Sequence, residues 1–322
     1  MNYKPEISVI MPVYNSEDFL SISIDSILKQ SFKNFEFIII NDGSTDNSEK
    51  IILSYLKKDQ RIIYIKNPRN KGISKSLNIG IKKSKGNFIC RMDADDISHF
   101  KRLEIQKNFL QKNPHIGVCG SYIQVLFKKK YIKYKYPVNS DDCYAALLFS
   151  NPVPHPASMF KKEIISNNKL NYNNKNLYGC EDYEFWQKVS EFTNFFNIPS
   201  YLYVYRDLSD SLSKRGKKNI NKRFSFYSNV YKKFLILLKI KLTKYNVQVH
   251  YDLSDNQLLS KSTYSFIQFQ RYLINILLQN RKYKIFNHRS LKKIIFKKIL
   301  MCFFFKCKFN NIFKLLALNK IS

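Results

Sequence analysis

The sequence predicts an α/β fold with a largely parallel sheet, followed by a basic region rich in helices. Apolar runs of strand length alternate with segments of helical periodicity up to residue 111, and this alternation is typical of βαβ units. With 322 residues, of which 44% are hydrophobic and 15% aromatic, the chain can bury one large core or two smaller ones. The charge is uneven, because residues 1–213 carry a net charge of +8 and residues 214–322 a net charge of +23. We therefore expect two regions with different tasks.

Four strand and helix pairs make up the first part of this fold. Runs rich in Ile, Val and Phe predict the strands at residues 7–13, 35–40, 61–65 and 87–92. Apolar residues that recur every three to four positions predict helices at residues 19–29, 46–56, 74–83 and 100–111. Consecutive units of this kind connect parallel strands of one sheet.

The pattern changes after residue 114. Residues 116–127 and 131–136 predict an antiparallel pair, mixed elements follow up to Tyr205, and the region beyond residue 213 reads as helical. No apolar run reaches the roughly 18 uncharged residues of a membrane-spanning helix, and no signal peptide is recognisable. The six cysteines are scattered without the spacing of a zinc site, so we expect a cytoplasmic protein with reduced thiols.

Polar residues follow three of the predicted strands. The first strand leads into Pro12, Val13 and Tyr14, the second into residues 41–46 (NDGSTD), and the fourth into residues 93–96 (DADD). Ligands of doubly wound sheets bind outside the carboxyl ends of the strands, so these groups are predicted to share one rim. A turn followed by a helix cap also explains residues 43–46. That structural interpretation leaves Asp42 unexplained.

Residues 91–96 (RMDADD) place three carboxylates within four positions of a chain whose net charge is +31. Two carboxylates at a strand end suit a hard divalent cation, and Mg²⁺ or Mn²⁺ fits best. An EF-hand is excluded by Ile97 and Ser98 at its fifth and sixth positions. An aspartyl-phosphate phosphatase would have a threonine where this chain has Ile97. A solvated turn, with Asp95 or Asp96 capping the next helix, is the structural alternative.

Five motifs, in their order and spacing, resemble glycosyltransferase family 2. They are residues 7–15 (ISVIMPVYN), 41–46 (NDGSTD), 72–80 (GISKSLNIG), 91–96 (RMDADD) and 181–182 (ED), and the resemblance extends over residues 5–210. The resemblance implies an α/β domain of the GT-A fold, a Rossmann-like mixed sheet flanked by helices, over residues 1–213. It also implies an inverting transfer of a sugar from a nucleotide-diphosphate sugar, with a UDP-sugar favoured, to an acceptor hydroxyl.

The resemblance implies roles for individual residues. Asp93 and Asp95 are expected to hold a divalent metal, Mn²⁺ or Mg²⁺, and Asp93 to lie near the ribose. The other residues expected to bind the nucleotide sugar are Pro12, Val13, Tyr14, Asp42, Asn78, His155 and Arg206. The chain departs from the family pattern at Leu77 and Leu208, where many relatives have an arginine and a histidine. A basic contact to the diphosphate is therefore expected from elsewhere, and Lys75 and Arg102 are candidates.

The sequence also offers a base and an acceptor-site residue. An inverting displacement needs a general base on the acceptor face. Asp182 is the candidate, with Glu181 orienting it or contacting the acceptor, although first-turn acids also stabilise a helix through its dipole. His155 lies in a motif similar to one in enzymes that build bacterial surface saccharides. It is expected to line the acceptor site or contact the diphosphate, and a buried, hydrogen-bonded imidazole is the alternative.

The basic region holds 25 Lys and Arg but 2 Asp and Glu. Residues 291–305 alternate paired lysines with Ile, Leu and Phe, as in an amphipathic helix that lies on an anionic membrane. A helical appendage with solvated lysines is nearly as well supported, whereas nucleic-acid binding is disfavoured because no such motif accompanies the charge. Peripheral attachment to the inner face of the plasma membrane would suit a lipid-linked saccharide acceptor.

Two functional classes remain at this point. The favoured class is a metal-dependent glycosyltransferase that elongates a surface saccharide, such as a lipopolysaccharide or a capsule. The other is a catalytically silent relative that binds saccharide or membrane as an assembly partner. Four intact acids argue against silence: Asp42, Asp93, Asp95 and Asp182.

Overall fold

One mixed sheet organises the protein in the computed structural model, which describes residues 4–175, 179–208, 214 and 220–307. Within these residues the strands are β1 (Ile7–Val13), β2 (Phe35–Asn41), β3 (Ile62–Lys66), β4 (Phe88–Arg91), β5 (Ile97–Ser98), β6 (Ile116–Phe127), β7 (Lys130–Tyr134), β8 (Met159–Lys161) and β9 (Asn194–Arg206). The strand order is β3-β2-β1-β4-β8-β6-β9-β5, and β7 pairs with β6.

The sheet has a parallel half and a mixed half. Strands β1 to β4 run parallel to one another. Strand β8 is antiparallel to both β4 and β6, while β9 is parallel to β6 and antiparallel to β5. Strands β6 and β7 form the antiparallel pair that the sequence predicts. The four predicted βα units are confirmed, with strand and helix ends within two residues of the expected positions.

Helices cover both faces of the sheet. Those of the first part are α1 (Glu17–Leu28), α2 (Ser48–Leu56), α3 (Ile73–Lys83), α4 (Arg102–Lys112), α5 (Ser140–Ala146), α6 (Lys162–Asn167) and α7 (Glu181–Val189), and a 3₁₀ turn spans His155–Ala157. Those of the basic region are α8 (Ile220–Leu237), α9 (Lys244–Ser254), α10 (Asn256–Lys261), α11 (Phe266–Tyr283) and α12 (His288–Lys306).

Two apolar clusters lie on opposite faces of the sheet, because side chains alternate along each strand. One cluster joins Val9 and Met11 of β1 to Leu20 of α1 and Leu103 of α4. The other joins Ile10 of β1 to Trp186 of α7 and continues into the basic region; its members there include Val230, Phe234, Leu235, Tyr251, Leu273, Phe286, Leu291 and Ile295. The helices of the basic region therefore complete the core on one face of the sheet.

The last helix, α12, has an inner and an outer face. Leu291 and Ile295 are buried, and Lys293 forms an ion pair of 2.7 Å with Asp142 of α5. The Lys298 ammonium donates to the Leu253 carbonyl at 2.6 Å, and burial lowers its pKa to about 8. Part of the predicted amphipathic surface is thus used for packing within the molecule. Among the described helices, none is both long and apolar enough to cross a bilayer.

Candidate active site

The carboxyl ends of β1, β2 and β4 meet at one rim of the sheet. The β2 end lies beside the β1 end, because the Asp42 amide donates to the Val13 carbonyl at 2.8 Å. On the other side of β1, the Met92 amide donates to the Ile10 carbonyl at 3.0 Å. The three polar segments that the sequence places at one rim are therefore neighbours.

A cluster of three carboxylates follows β4. Asp93, Asp95 and Asp96 each offer an oxygen, and these oxygens lie within 4.8 Å of one another. The Asp93 amide donates to the Tyr203 hydroxyl at 3.2 Å, and its carboxylate pairs with the buried Arg91 guanidinium. Asp96 is fully buried and accepts a bond of 2.7 Å from the backbone amide at the end of β9. The cluster is thus tied to two strands.

The cluster fits a divalent cation. Burial and the neighbouring Asp93 charge raise the pKa of Asp95 to about 6, and the same two causes raise the pKa of Asp96 well above its usual range. Three crowded carboxylates repel one another unless a cation compensates them, and oxygen ligands suit Mg²⁺ or Mn²⁺. The helix-cap alternative is not what the structure shows, since Lys101 occupies the cap position of α4 without any side-chain bond.

Asp42 organises the loop that enters α3. Its buried carboxylate accepts a bond from the Asn67 side chain at 2.7 Å and bonds from the Lys71 and Gly72 amides at 3.0 and 2.9 Å. Gly72 has φ of 88°, a left-handed conformation that favours glycine. The side chain that the cap interpretation left unexplained therefore holds a loop at the rim.

Asp46 joins two helix starts. One carboxylate oxygen accepts from the Ser48 amide at 3.0 Å, and the other accepts from the Glu17 amide at 3.0 Å. The helix begins two residues later than predicted, at Ser48, and Asn47 rather than Asp46 occupies the cap position, although Asp46 accepts the bond from the first helical amide. Asp46 also caps α1, which sequence spacing does not reveal because the two helices are far apart in the chain.

The segment after β1 forms an open edge of the rim. Val13 is buried within β1 and Pro12 is partly buried, whereas Tyr14 is 42% exposed. Asn15 has φ of 47°, and its side-chain oxygen accepts from the Thr45 amide at 2.8 Å. This bond joins the segment after β1 to the segment after β2, and the exposed Tyr14 ring is not packed in the core.

The acid pair of α7 lies beside the carboxylate cluster. The Asn151 side-chain amide donates to Asp182 at 2.6 Å, which orients one carboxylate oxygen. Burial, then the Asp182 charge, raises the pKa of Glu181 to about 7, and Arg91 opposes that shift. Burial also raises the pKa of Asp182, again against Arg91. The Arg91 charge also lowers the pKa of Asp95, so the acids after β4 and those of α7 interact with the same guanidinium.

His155 and Asn78 both form hydrogen bonds to Tyr172. The His155 imidazole is buried, shares a hydrogen bond of 2.7 Å with the Tyr172 hydroxyl, and lies edge-on to the Trp186 ring at 5.8 Å. Burial lowers the pKa of His155 well below its usual value, so the ring is neutral. Asn78 exchanges two hydrogen bonds, of 2.8 and 2.9 Å, with the Tyr172 backbone. Both side chains have partners within the protein.

The predicted basic contacts lie in different environments. The Arg206 guanidinium lies 4.8 Å from the Phe19 ring centre at the end of β9 and lowers the pKa of Asp95 by its charge, a smaller effect than burial, which raises it. Arg102 is fully buried and donates to the Arg91 carbonyl at 2.6 Å, so it braces β4 and does not reach a diphosphate. Lys75 is exposed on α3.

Sequence reasoning missed three residues of the site. Arg91 opens the RMDADD motif but was given no role, although it pairs with Asp93. Asn151 opens the motif that contains His155, and it orients Asp182. The Tyr203 hydroxyl accepts a hydrogen bond from the Asp93 amide. The first two were detectable by their place in a recognised motif, whereas Tyr203 is one tyrosine of 22 in the chain.

Comparisons with known proteins agree with this geometry. The model of glycosyl transferase family 2 matches residues 8–168. An uncharacterized glycosyltransferase of Haemophilus influenzae is 32% identical over 316 residues, which cover 92% of this chain and 97% of that relative. A putative glycosyltransferase of Bacillus subtilis, EpsE, is 33% identical over 218 residues, which cover 67% of this chain and 78% of that relative.

Solved structures share the fold. S. aureus TarS 1-349 in complex with UDP-GlcNAc aligns with a TM-score of 0.59 at 17% identity, over 92% of this chain and 90% of that one. The mannosyltransferase PcManGT from Pyrobaculum calidifontis, in complex with GDP-Man and Mn²⁺, aligns with a TM-score of 0.57 at 14% identity, over 94% and 86%. The mixed sheet flanked by helices is thus the GT-A fold that the motifs imply. On the strength of the family match and the full-length relative, the chain belongs to glycosyltransferase family 2 and is a glycosyltransferase.

Proposed function

We propose that the protein transfers a sugar, with inversion, from a nucleotide-diphosphate sugar to a hydroxyl of a growing saccharide. The observation that carries this proposal is the cluster of Asp93, Asp95 and Asp96, whose carboxylate oxygens lie within 4.8 Å of one another. A carboxylate cluster suited to a metal and a second acid pair on a different element are the two parts that such a displacement needs. The electrostatic interactions of Glu181 with Asp93 and Arg91 support the proximity of these two parts.

The donor's base is assigned to the Asp42 side of the rim. A carboxylate has about four lone-pair positions, and three hydrogen bonds to Asp42 leave room for one more donor. A ring N–H of the base would take that place, with Pro12, Val13 and the exposed Tyr14 forming the adjoining edge. A UDP-sugar is the favoured donor, as in the TarS complex, while the PcManGT complex holds GDP-Man.

The carboxylates after β4 would hold the metal. Asp93 and Asp95 are the proposed ligands, whereas Asp96 is fully buried and bonded to the β9 backbone, so it supports the turn. A bound Mn²⁺ or Mg²⁺ would supply positive charge for the leaving diphosphate. Arg91 pairs with Asp93, and Arg206 is a second cation whose charge acts on Asp95.

Asp182 is the proposed general base. Its raised pKa makes it a better proton acceptor than an exposed aspartate, and the bonds from Asn151 and from the Tyr183 amide leave lone pairs for an acceptor hydroxyl. Glu181 stands next to it in the first turn of α7 and would orient the acceptor. His155, being neutral and bonded to Tyr172, would shape the wall of the acceptor site.

A nucleotide-release assay tests the reaction. The protein would be incubated with a panel of UDP-sugars and GDP-sugars in Mn²⁺ or Mg²⁺, and released nucleotide measured. We expect release from a UDP-sugar, loss in EDTA, and loss in Asp95→Asn, while the matched control Asp25→Asn on the outer face of α1 keeps its activity. Release from GDP-sugars alone would correct the donor. Failure with every donor would contradict the proposal and favour the silent assembly partner.

A membrane-bound, lipid-linked acceptor forms the second part of the proposal. Helix α11 exposes Ile267, Ile274 and Leu278 on one side, with the first and last 56% and 55% exposed. Their spacing of seven and four residues puts them on one face. Residues 256–307 contain no acid, so anionic lipid would meet no opposing charge there. This face extends the predicted membrane contact from α12, whose inner side is packed, to α11.

Vesicle flotation tests this attachment. We expect the full-length protein to float with vesicles that contain anionic lipid and not with neutral ones, and Ile274→Ser with Leu278→Ser to weaken flotation. A matched double change on α2, Leu53→Ser with Leu56→Ser, removes two exposed apolar residues from the other region and is the control. Equal flotation of all variants would contradict a membrane contact of α11. If the protein bound RNA in a gel-shift assay but did not float with anionic vesicles, nucleic-acid binding would be the better interpretation of the positive charge.

A further inference from the structure

The hairpin of β6 and β7 has an unusual turn. Phe127 pairs with Lys130, so two residues form the turn, and both have positive φ: 44° at Lys128 and 66° at Lys129. Such turns favour Asn-Gly, because the Cβ atom of most residues crowds the backbone in the left-handed region, whereas Gly has no Cβ and Asn tolerates this conformation. Lysine has no conformational advantage at either position. The turn therefore carries charge at a place where the backbone would prefer other residues.

The hairpin is a concentrated positive surface. Five lysines lie within residues 128–135, while residues 105–140 contain no acid. All five are exposed: Lys128, Lys129, Lys130, Lys133 and Lys135. Among the ion pairs between described residues, none includes any of them. The charge is thus available to a negatively charged partner.

Aromatic rings alternate with these lysines. Tyr131 is 57% exposed on β7, and the Lys133 ammonium lies 5.4 Å from the ring centre of Tyr201 on β9. The Tyr201 ring in turn lies 5.5 Å from the Tyr122 ring of β6. Flat rings beside cations can pack against the C–H face of a sugar while the ammonium groups bind its acidic substituents.

The hairpin adjoins the catalytic cleft. Leu126 pairs with Arg206, whose amide is bonded to Asp96 of the carboxylate cluster. At the other end, β7 leads to Tyr136, whose pKa is raised by burial and further by the charges of Tyr134 and Asp182. Strand β7 therefore runs from the lysine turn, which lies beside the carboxylate cluster, towards Tyr136, which interacts electrostatically with the proposed base. Six residues of extended chain span about 20 Å, the length of several linked sugars.

We propose that the acceptor is an acidic saccharide chain, with carboxylate or phosphate groups, that lies along β7 with its reacting hydroxyl at Asp182 and its charged units at Lys128, Lys129 and Lys130. This inference rests on the proposed function and names the acceptor class. A saccharide fits better than a bilayer, because the tip of the hairpin consists of lysines and the aromatic rings alternate with cations along the strand. A hairpin that inserts into lipid would place its apolar residues at the tip.

Binding of short oligogalacturonate, a carboxylated probe, tests the inference in the full-length protein, with a neutral maltooligosaccharide of equal length for comparison. We expect Lys128→Glu, Lys129→Glu and Lys130→Glu together to weaken oligogalacturonate binding by about tenfold or more. The matched triple Lys57→Glu, Lys58→Glu and Lys112→Glu makes the same charge change at the opposite rim and should alter binding by less than about twofold. Tyr131→Ala should also weaken binding.

Three outcomes would overturn this acceptor assignment. Equal losses in the two triple variants would show that net charge alone governs binding. Equal binding of the neutral and the carboxylated probe would remove the role of charge. If the hairpin triple variant lost binding to anionic vesicles but bound oligogalacturonate like the wild type, the hairpin would be a membrane contact. Donor hydrolysis by the wild-type protein, measured in parallel, separates these failures from a failure of the proposed function, which would abolish nucleotide release.

Discussion

Asp182 is the side chain whose loss should separate chemistry from binding. Asp182→Asn keeps the size of the side chain and its place in α7 but removes the proton-accepting oxygen. We expect turnover to fall by about 10² to 10⁴, the usual contribution of a general base, while nucleotide-sugar affinity stays near that of the wild type. Steady-state transfer rates and equilibrium donor binding together check this expectation.

Glu184 provides the matched control for that experiment. It lies in the first turn of the same helix, and it pairs with Lys188 at 3.3 Å instead of facing the carboxylate cluster. Glu184→Gln therefore removes one negative charge from α7 without touching the proposed base. Loss of turnover in both variants to the same extent would mean that α7 needs its charge for helix stability, and Asp182 would lose its assigned role.

Glu181 gives the reaction a predictable pH dependence. Burial and the Asp182 charge raise its pKa to about 7, so the acid pair is fully ionised only above that pH and titrates as a unit. We expect kcat/KM to rise with pH up to about 7 in the wild type. Glu181→Gln removes the upper titration step, so the variant should reach its plateau at a lower pH. A profile with an unchanged midpoint would exclude Glu181 from the controlling pair.

Among the strands and helices, those with a strong local sequence pattern are predictable, because local side-chain preferences determine them. Strands β1 to β3 are rich in β-branched or aromatic side chains and β4 is fully buried, and such residues favour extended chain, so the positions of these strands follow from the sequence. Strand β5 has two residues and exists because Ile97 pairs with Val204 of β9, more than 100 positions away. Contacts at such separation leave no local signal.

The same reasoning explains which contacts at the candidate site the sequence could not show. The acids were recognisable because a carboxylate cluster at a strand end is a local pattern. The bond from Asn151 to Asp182 and the bonds from Asn78 to Tyr172 join distant loops, so the sequence could offer these residues only as motif members. At Lys298 a local pattern is misleading. Paired lysines predict a solvated helix face, whereas the Lys298 ammonium donates to a backbone carbonyl inside the protein.

A buried histidine makes the attachment of α9 sensitive to acid. His250 bonds the Leu148 carbonyl through one ring nitrogen at 2.6 Å and the Tyr272 hydroxyl through the other at 2.8 Å. A carbonyl only accepts, so the nitrogen facing Leu148 carries the proton. Burial lowers the pKa of His250 to about 3. Between about pH 6.5 and 3, the imidazole of the unfolded chain is protonated while that of the folded protein stays neutral.

The folded protein should therefore lose stability as the pH falls from 6.5 towards 3. Between pH 6.5 and 5.0 this residue contributes a loss of about 2 kcal/mol in the free energy of unfolding. We expect the free energy of unfolding of His250→Gln to fall by about 2 kcal/mol less than that of the wild type between pH 6.5 and 5.0, whatever the stability of the variant at neutral pH. Urea unfolding at several pH values measures the difference. His115→Gln, at an exposed position, should decline like the wild type, and an equal decline in the His250 variant would contradict the assignment.

At the scale of the whole molecule, charge and packing divide the chain differently. Charge separates residues 1–213 from 214–322, with net charges of +8 and +23. The apolar core does not follow this division, since the rings of Phe234 and Phe286 both contact Tyr144, which lies on α5. The His250 ring stacks on Phe149 at 4.7 Å. The basic region is therefore distinct in its surface but continuous with the sheet in its interior.

The last prediction concerns whether residues 1–213 fold alone. Removing the basic region would expose the apolar face that α8, α9 and α12 cover and would break the ion pair between Asp142 and Lys293. Exposed apolar surface of that extent favours aggregation over a folded monomer. We expect the fragment to aggregate or to lack a cooperative transition, and the full chain to unfold in one transition by calorimetry. A monomeric fragment that melts at the temperature of the full chain would show two independent domains, and the positive charge of the tail would then be a property of a separate module.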